Sequence, residues 1–233
     1  FLVAVFVRRT GEQFDYFRVS LLRWQLFRIL KHDSVLFFIR LCGVIVLVIT
    51  VIAGFWGDSN PYNNVTPVLV WVIWWVGGVF VCVLVGDLWA LINPFRTLFI
   101  WVERLALKLF SAKGLSLNCS YPSSLAMWPA VVGLIGFFWA ELLWTGGSIP
   151  RNLAITIAVY GCVTWIGMFV YGRETWLQNA DPFSLVFKIF SGFAPLETRV
   201  RSDAPKRSCQ VHACRYRHTD CVNGYGCMKD NEP

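Results

Sequence analysis

Three carboxylates in apolar surroundings are the residues of this chain best placed to do chemistry. Glu141 lies inside the stretch FFWAELLW, flanked by Phe138, Trp139, Leu142 and Leu143. Asp87 and Glu174 each follow closely on a glycine that closes a long apolar run, in Gly86-Asp87-Leu88-Trp89 and Gly172-Arg173-Glu174-Thr175-Trp176. An acid near mid-bilayer costs about 2.5–3.5 kcal/mol on insertion scales and less toward the edge, so such groups face a cavity, a cation or a proton path. Glu141 is therefore expected to hold a proton or cation, with Tyr160 and Thr164 lining the same cavity. The alternative for all three is structural: Glu141 reaching a neighbouring helix or the headgroups, Tyr160 and Thr164 bonding between helices. Asp87 and Glu174 are expected at an inner mouth, or simply at helix ends near water, with Arg173 and Glu174 as a local ion pair of small worth. A second set lies in the tail: Cys209, His212, Cys214, His218, Cys221 and Cys227, spaced C-x2-H-x-C-x3-H-x2-C-x5-C. Thiolate and imidazole are ligands zinc takes in closed tetrahedral sites, so zinc or another metal is the cofactor this tail suggests. No C-x2-C knuckle is present, and a tail with incidental cysteines is the competing reading.

The elements that must carry these residues are apolar helices. The 233 residues are 56% hydrophobic and only 15% charged, with mean hydropathy +0.55, where soluble domains carry about 25% charged residues. Residues 68–86 contain no charge, and nineteen residues at about 1.5 Å each cover most of a roughly 30 Å hydrocarbon layer. Four spans are expected, over about 35–56, 68–92, 125–144 and 153–171. FLVAVFV, running into Arg8-Arg9, reads as the end of a further span cut off upstream, although a short apolar tail would look the same. The fold class is thus all-α, a polytopic transmembrane helix bundle. Residues 1–34 form a basic juxtamembrane segment, 35–196 the membrane domain, and 197–233 a polar tail.

Lys and Arg sort the connections. None lies in 57–67 and only Arg151 lies in 145–152, whereas the segment before the first span, the connection 93–124 and the region after the fourth span are rich in them. Short basic loops stay cytoplasmic. The two polar loops are accordingly expected outside and the basic segments and tail inside, in the plasma (inner) membrane. The net charge of +7 then reports topology rather than nucleic-acid binding. Two amphipathic stretches, 95–110 and 183–193, are expected to lie flat at the inner surface. In the first, Arg96, Thr97, Glu103, Arg104 and Lys108 would meet headgroups while Leu98, Val102, Leu105 and Leu109 face the apolar side. In the second, Ser184, Lys188 and Ser191 form the polar stripe.

The second and fourth spans end alike. In each a glycine is followed by an acid and a Trp, then by Asn93-Pro94-Phe95 or Asp181-Pro182-Phe183. Asn and Asp accept from free N–H groups at a helix start, and Pro at the first position lacks the donor that would be orphaned there. A unit of two spans plus one surface helix, used twice, is one reading; common chemistry at helix ends is the other. No G-x-x-x-x-G-K-[ST] loop, H-E-x-x-H or G-x-S-x-G is present, so nothing points to nucleotide binding or a serine nucleophile.

GDLWALINPFRTLFIWVERL (86–105), YPSSLAMWPAVVGLIGFFWAELLW (121–144) and DPFSLVFKIFSGFAPLE (181–197) together resemble a bacterial family of multi-spanning membrane proteins often labelled fenitrothion hydrolase. The resemblance covers roughly residues 35–200. It implies more spans than are present here and, by its label, cleavage of an organophosphate ester, with no catalytic residues to carry over. Three functions stand side by side: a transporter or permease-like component with an intramembrane acidic site, a membrane hydrolase using a metal-activated water, and a non-catalytic assembly subunit docking through its basic tail. The lipid bilayer is the expected partner; a second copy, a protein partner and a small-molecule substrate stay open.

Overall fold

The apolar runs form helices, and turn chemistry decides where each one stops. The computed structural model describes residues 32–110 and 115–194. These comprise α1 (Asp33–Trp56), α2 (Val65–Val85), α3 (Leu88–Ile92), α4 (Pro94–Phe110), α5 (Trp128–Leu142), α6 (Pro150–Tyr171), α7 (Arg173–Asn179) and α8 (Pro182–Ser191), with a tight helical turn at Thr145–Ser148. Every described element is helical. The residues assigned to a cut-off span, and the whole Cys/His tail, lie outside the described residues.

Three helices, Ser34–Trp56, Val65–Val85 and Pro150–Tyr171, are long and apolar enough to cross a membrane. The expected span over 68–92 is shortened by a break. Gly86 takes φ 109°, a left-handed conformation that glycine enters freely, and Asp87 then caps the separate helix α3. The expected span over 125–144 holds a helix of 15 residues, about 22 Å at 1.5 Å per residue. Residues 122–127 turn before it, and Trp144 leads into the Thr145–Ser148 turn after it.

Large apolar side chains point away from the protein on all three long helices: Phe38 is 62% exposed, Phe80 64% and Ile166 64%. In water such surface would be an aggregation hazard; in lipid it is the contact face.

α6 packs against α1, α4 and α7, while α8 lies across the second half of α2 and against α5. Close approach follows from small residues. A methyl group on Gly54 of α1 would sit 2.6 Å from Ala154 Cβ and 2.8 Å from Pro150 O. One on Gly167 of α6 would fall inside the Trp176 ring.

Val68–Gly77, in the middle of α2, is wound as a π-helix. Its wider turn sends neighbouring Trp74 and Trp75 to one cluster with Phe137, Phe183 and Phe187, with ring centroids 4.6–6.4 Å apart and mostly edge-on. The segment 183–193, expected to lie at the lipid surface, is instead a packed helix that buries Phe183, Val186 and Phe187. Among the described cysteines Cys82 is buried, while Cys42, Cys119 and Cys162 are exposed.

The helices have two chemically different ends. At one end Asn64 donates to Ala53 O and Asp58 O (both 2.7 Å), and its Oδ1 accepts from Thr66 N. Trp71 Nε1 donates to Gly147 O at 3.0 Å, which ties the second polar loop to the same end. At the other end the last carbonyls of α6 are satisfied by Leu117 N on Phe169 O (2.8 Å) and Cys119 N on Val170 O (2.9 Å). That end also gathers α3, α7 and the starts of α4 and α8, and with them most of the described charge.

Candidate functional site

Two similarly built corners meet at the charged end. Gly86 (φ 109°) precedes α3 and Gly172 (φ 86°) precedes α7, and both short helices then hand over to a capped, Pro-started helix. Asn93 Oδ1 accepts from Phe95 N and Arg96 N at 3.0 and 3.1 Å; Asp181 Oδ2 accepts from Ser184 N at 2.8 Å. The Asn/Asp-Pro pattern in the sequence therefore has its expected local geometry at both places.

Between these corners lies a cleft of about 40 Å³, lined by Asp87, Asn93, Arg96, Glu174, Gln178 and Lys188 among others. That volume admits about three water molecules. Asp87 and Glu174, assigned from the sequence to an inner mouth, both line it.

Asp87 is 8% exposed. Its Oδ1 accepts from Ala90 N at 3.1 Å, which caps α3. Its Oδ2 makes no hydrogen bond to any described residue and is not sealed from solvent, so it opens on the cleft. Burial pushes the Asp87 carboxyl above its usual range; the Ala90 N–H and the charges of Lys188 and Arg96 pull it back only in part.

Glu174 has the opposite environment. Its Oε1 accepts from Arg96 Nη2 and from Arg173 Nε, both at 2.9 Å, and Arg173 Nη1 reaches Glu103 Oε2 at 3.1 Å. Burial raises the Glu174 carboxyl, but the two guanidiniums more than offset this and hold it below its usual range. The local Arg173–Glu174 pair foreseen in the sequence is thus one link of a four-residue chain joining α4 to α7. Arg96, Thr97 and Glu103, expected among lipid headgroups, turn inward instead: two join this network, and Thr97 Oγ1 donates to Asn93 O at 2.9 Å. Val102, Leu105 and Leu109 form the exposed apolar side of α4, as their spacing predicts.

Tyr160 and Thr164, expected beside Glu141, are engaged with Asp181 and with each other. Glu141 sits near the end of α5, half-buried, with no hydrogen bond or ion pair to any described residue. Tyr160 points elsewhere: its hydroxyl donates to Asp181 Oδ1 at 2.5 Å. Thr164 is buried one turn further along α6 and interacts with the Tyr160 oxygen. Asp181 is only 1% exposed, and no cation lies within ion-pair distance of it among the described residues. Burial raises its carboxyl, and the Ser184 and Tyr160 donors counter this only in part.

Sequence reasoning took Asp181 as a cap and missed its second oxygen. It also missed Arg96, Gln178 and Lys188 as cleft residues. The matching Gly…Asn/Asp-Pro corners were the available signal, because two equal corners that meet must bring together whatever follows them. Among the described residues no three His, Cys, Asp or Glu side chains are grouped to hold a metal ion. The proposed metal ligands Cys209, His212, Cys214, His218, Cys221 and Cys227 lie outside the described residues. Compared with protein-family models, curated proteins and solved structures, the chain finds no match.

Proposed function

We propose that this chain is a multi-pass membrane permease component whose titratable site is the cleft at Asp87. In this reading α1, α2 and α6 cross the bilayer. α5 completes a fourth crossing with the apolar residues on either side of it. The polar loops face outward, and the charged end faces the cytoplasm of the plasma (inner) membrane. The observation that carries the reading is a nearly buried carboxylate with one oxygen open to a cleft, opposed by Lys188 and Arg96, at the end of an apolar helix. A group so placed exchanges a proton when a charged ligand enters or leaves, which is the elementary coupling step of a secondary transporter. The Arg96–Glu174–Arg173–Glu103 chain holds the two corners at a fixed separation while that happens. Glu141, on this reading, is a half-buried residue toward the other end and not the coupling group.

The test is uptake into proteoliposomes that hold the full chain and a lumenal pH dye, across a panel of small charged solutes. Asp87→Asn keeps the α3 cap, since Asn caps as well as Asp. It is expected to abolish the proton-linked component of uptake, while Glu141→Gln leaves it unchanged. Uptake and pH dependence that survive Asp87→Asn would overturn the proposal.

A further inference from the structure

The cleft has a definite charge pattern once its ion pairs are set aside. Arg96 and Arg173 are committed to Glu174 and Glu103 at 2.9–3.1 Å, which leaves a set of two cations and two anions with no net charge. What remains is Asp87 from one corner and Lys188 from α8. Both line the cleft, they feel each other's charge, and they are not within 4 Å of one another. The Lys188 ammonium and the Gln178 amide make no hydrogen bond to any described residue, and Asp87 Oδ2 makes none either. Three polar groups of three kinds therefore converge on one small space with their bonding capacity unused. A bare cation there is opposed by Lys188 and a bare anion by Asp87. A molecule carrying both charges satisfies both.

We infer that the cleft binds a small zwitterion, its protonated amine on Asp87 Oδ2 and its anionic oxygens on Lys188 Nζ and the Gln178 amide. This names the ligand class of the site and rests on the cleft being the working site of the permease reading. The primary ammonium matters chemically, because it brings N–H donors to the open carboxylate oxygen, which a quaternary ammonium lacks. Leu177 and Leu185 line the same space, so the cleft has an apolar side. Two sources share this chemistry: the phosphoethanolamine headgroup of a membrane lipid, and free phosphoethanolamine.

Native mass spectrometry of the detergent-solubilised full chain tests the inference. Phosphatidylethanolamine, phosphatidylcholine and phosphatidylglycerol are offered in equal amounts, with and without free phosphoethanolamine. At least tenfold greater retention of phosphatidylethanolamine than of the other two is expected. Asp87→Asn should remove its preference over phosphatidylglycerol, and Lys188→Met should lower its retention at least fivefold. Gln178→Ala, which breaks no side-chain hydrogen bond to any described residue, should weaken retention about threefold with the fold intact. Displacement of the lipid by phosphoethanolamine at equal concentration supports the soluble source; persistence of the lipid supports the membrane source. Equal retention of the three lipids with no uptake of phosphoethanolamine, or a preference unchanged in all three variants, overturns the inference. Proton-linked uptake that still needs Asp87 in that case discards the zwitterion and keeps the permease. A phosphatidylethanolamine preference without any proton-linked uptake does the reverse.

Discussion

Removing the Tyr160 hydroxyl probes a short, buried polar contact between α6 and the start of α8. Tyr160→Phe leaves the ring in place beside Phe95 and Phe183, whose centroids lie 4.9 and 5.1 Å away, so packing is nearly unchanged. What disappears is one donor to Asp181 Oδ1 at 2.5 Å, a length typical of charge-assisted O–H···O bonds. Two scales bracket the cost. Interhelical hydrogen bonds in bilayers average about 0.6 kcal/mol with a maximum near 1.7, while bonds to charged groups in soluble proteins contribute about 1.5–3 kcal/mol. Asp181 is buried with no cation within ion-pair distance among the described residues, where Tyr160 and Ser184 are its donors, and the overlap of the two scales, about 1.5 kcal/mol, is expected. In an Asp181→Asn background, which keeps the α8 cap, the same substitution removes only a neutral bond worth about 0.6 kcal/mol. The coupling energy is then about 1 kcal/mol, a fivefold change in the unfolding constant. Denaturation in mixed micelles followed by Trp fluorescence measures it. The pH dependence has a definite sign. A carboxyl raised in the fold binds its proton more tightly there than when unfolded, so stability falls as pH rises from about 3.9 toward the folded value. Tyr160→Phe should carry that fall to higher pH. Strict additivity of the two substitutions, or a pH profile identical to wild type, would refute the reasoning.

Glu174→Gln leaves two guanidiniums facing a neutral amide, and a loss of about 2–4 kcal/mol is expected in the same unfolding assay. Because the Glu174 carboxyl is held low in the fold, its stabilisation is complete above about pH 4.3 and lost on further acidification, and that acid limb should vanish in the variant. Gly54→Ala forces a methyl against Ala154 Cβ and Pro150 O and should cost about 1–3 kcal/mol, read as a lower thermal midpoint. Trp71→Phe removes the indole donor to Gly147 O and should cost about 0.6–1.7 kcal/mol, with the loop 145–149 becoming more open to proteolysis.

The positions of the long helices were legible because apolar length is a strong signal. α1 and α6 begin within three residues of where hydropathy puts them. Capping chemistry was legible as well: Asn93-Pro94 and Asp181-Pro182 start helices as their types dictate. The break at Gly86 was visible but underweighted, because Leu88, Trp89 and Leu91 continue the apolar run and hydropathy does not register a positive φ. The π-helical winding at Val68–Gly77 has no periodic signature in a stretch where every residue is apolar or glycine. The inward turn of Arg96 and Glu103 escaped notice for a different reason. An amphipathic stripe tells which residues share a face, and only the partner helix decides whether that face meets water, lipid or protein. The same limit hid the cleft. Glu141 stood out because its neighbours in sequence are apolar, whereas the cleft is assembled from residues 87, 96, 174, 178 and 188, which only the meeting of two corners brings together.

Sidedness is the quantity on which the account depends most. In a full-length variant cleared of its own cysteines, Tyr62→Cys and Lys108→Cys place single thiols at the polar-loop end and on the exposed part of α4. An impermeant maleimide applied to intact cells should label position 62 and spare position 108 until the membrane is permeabilised. Labelling of both positions from the same side would contradict the crossing of α2, the one long apolar helix between them, and with it the assignment of the cleft to the inner face.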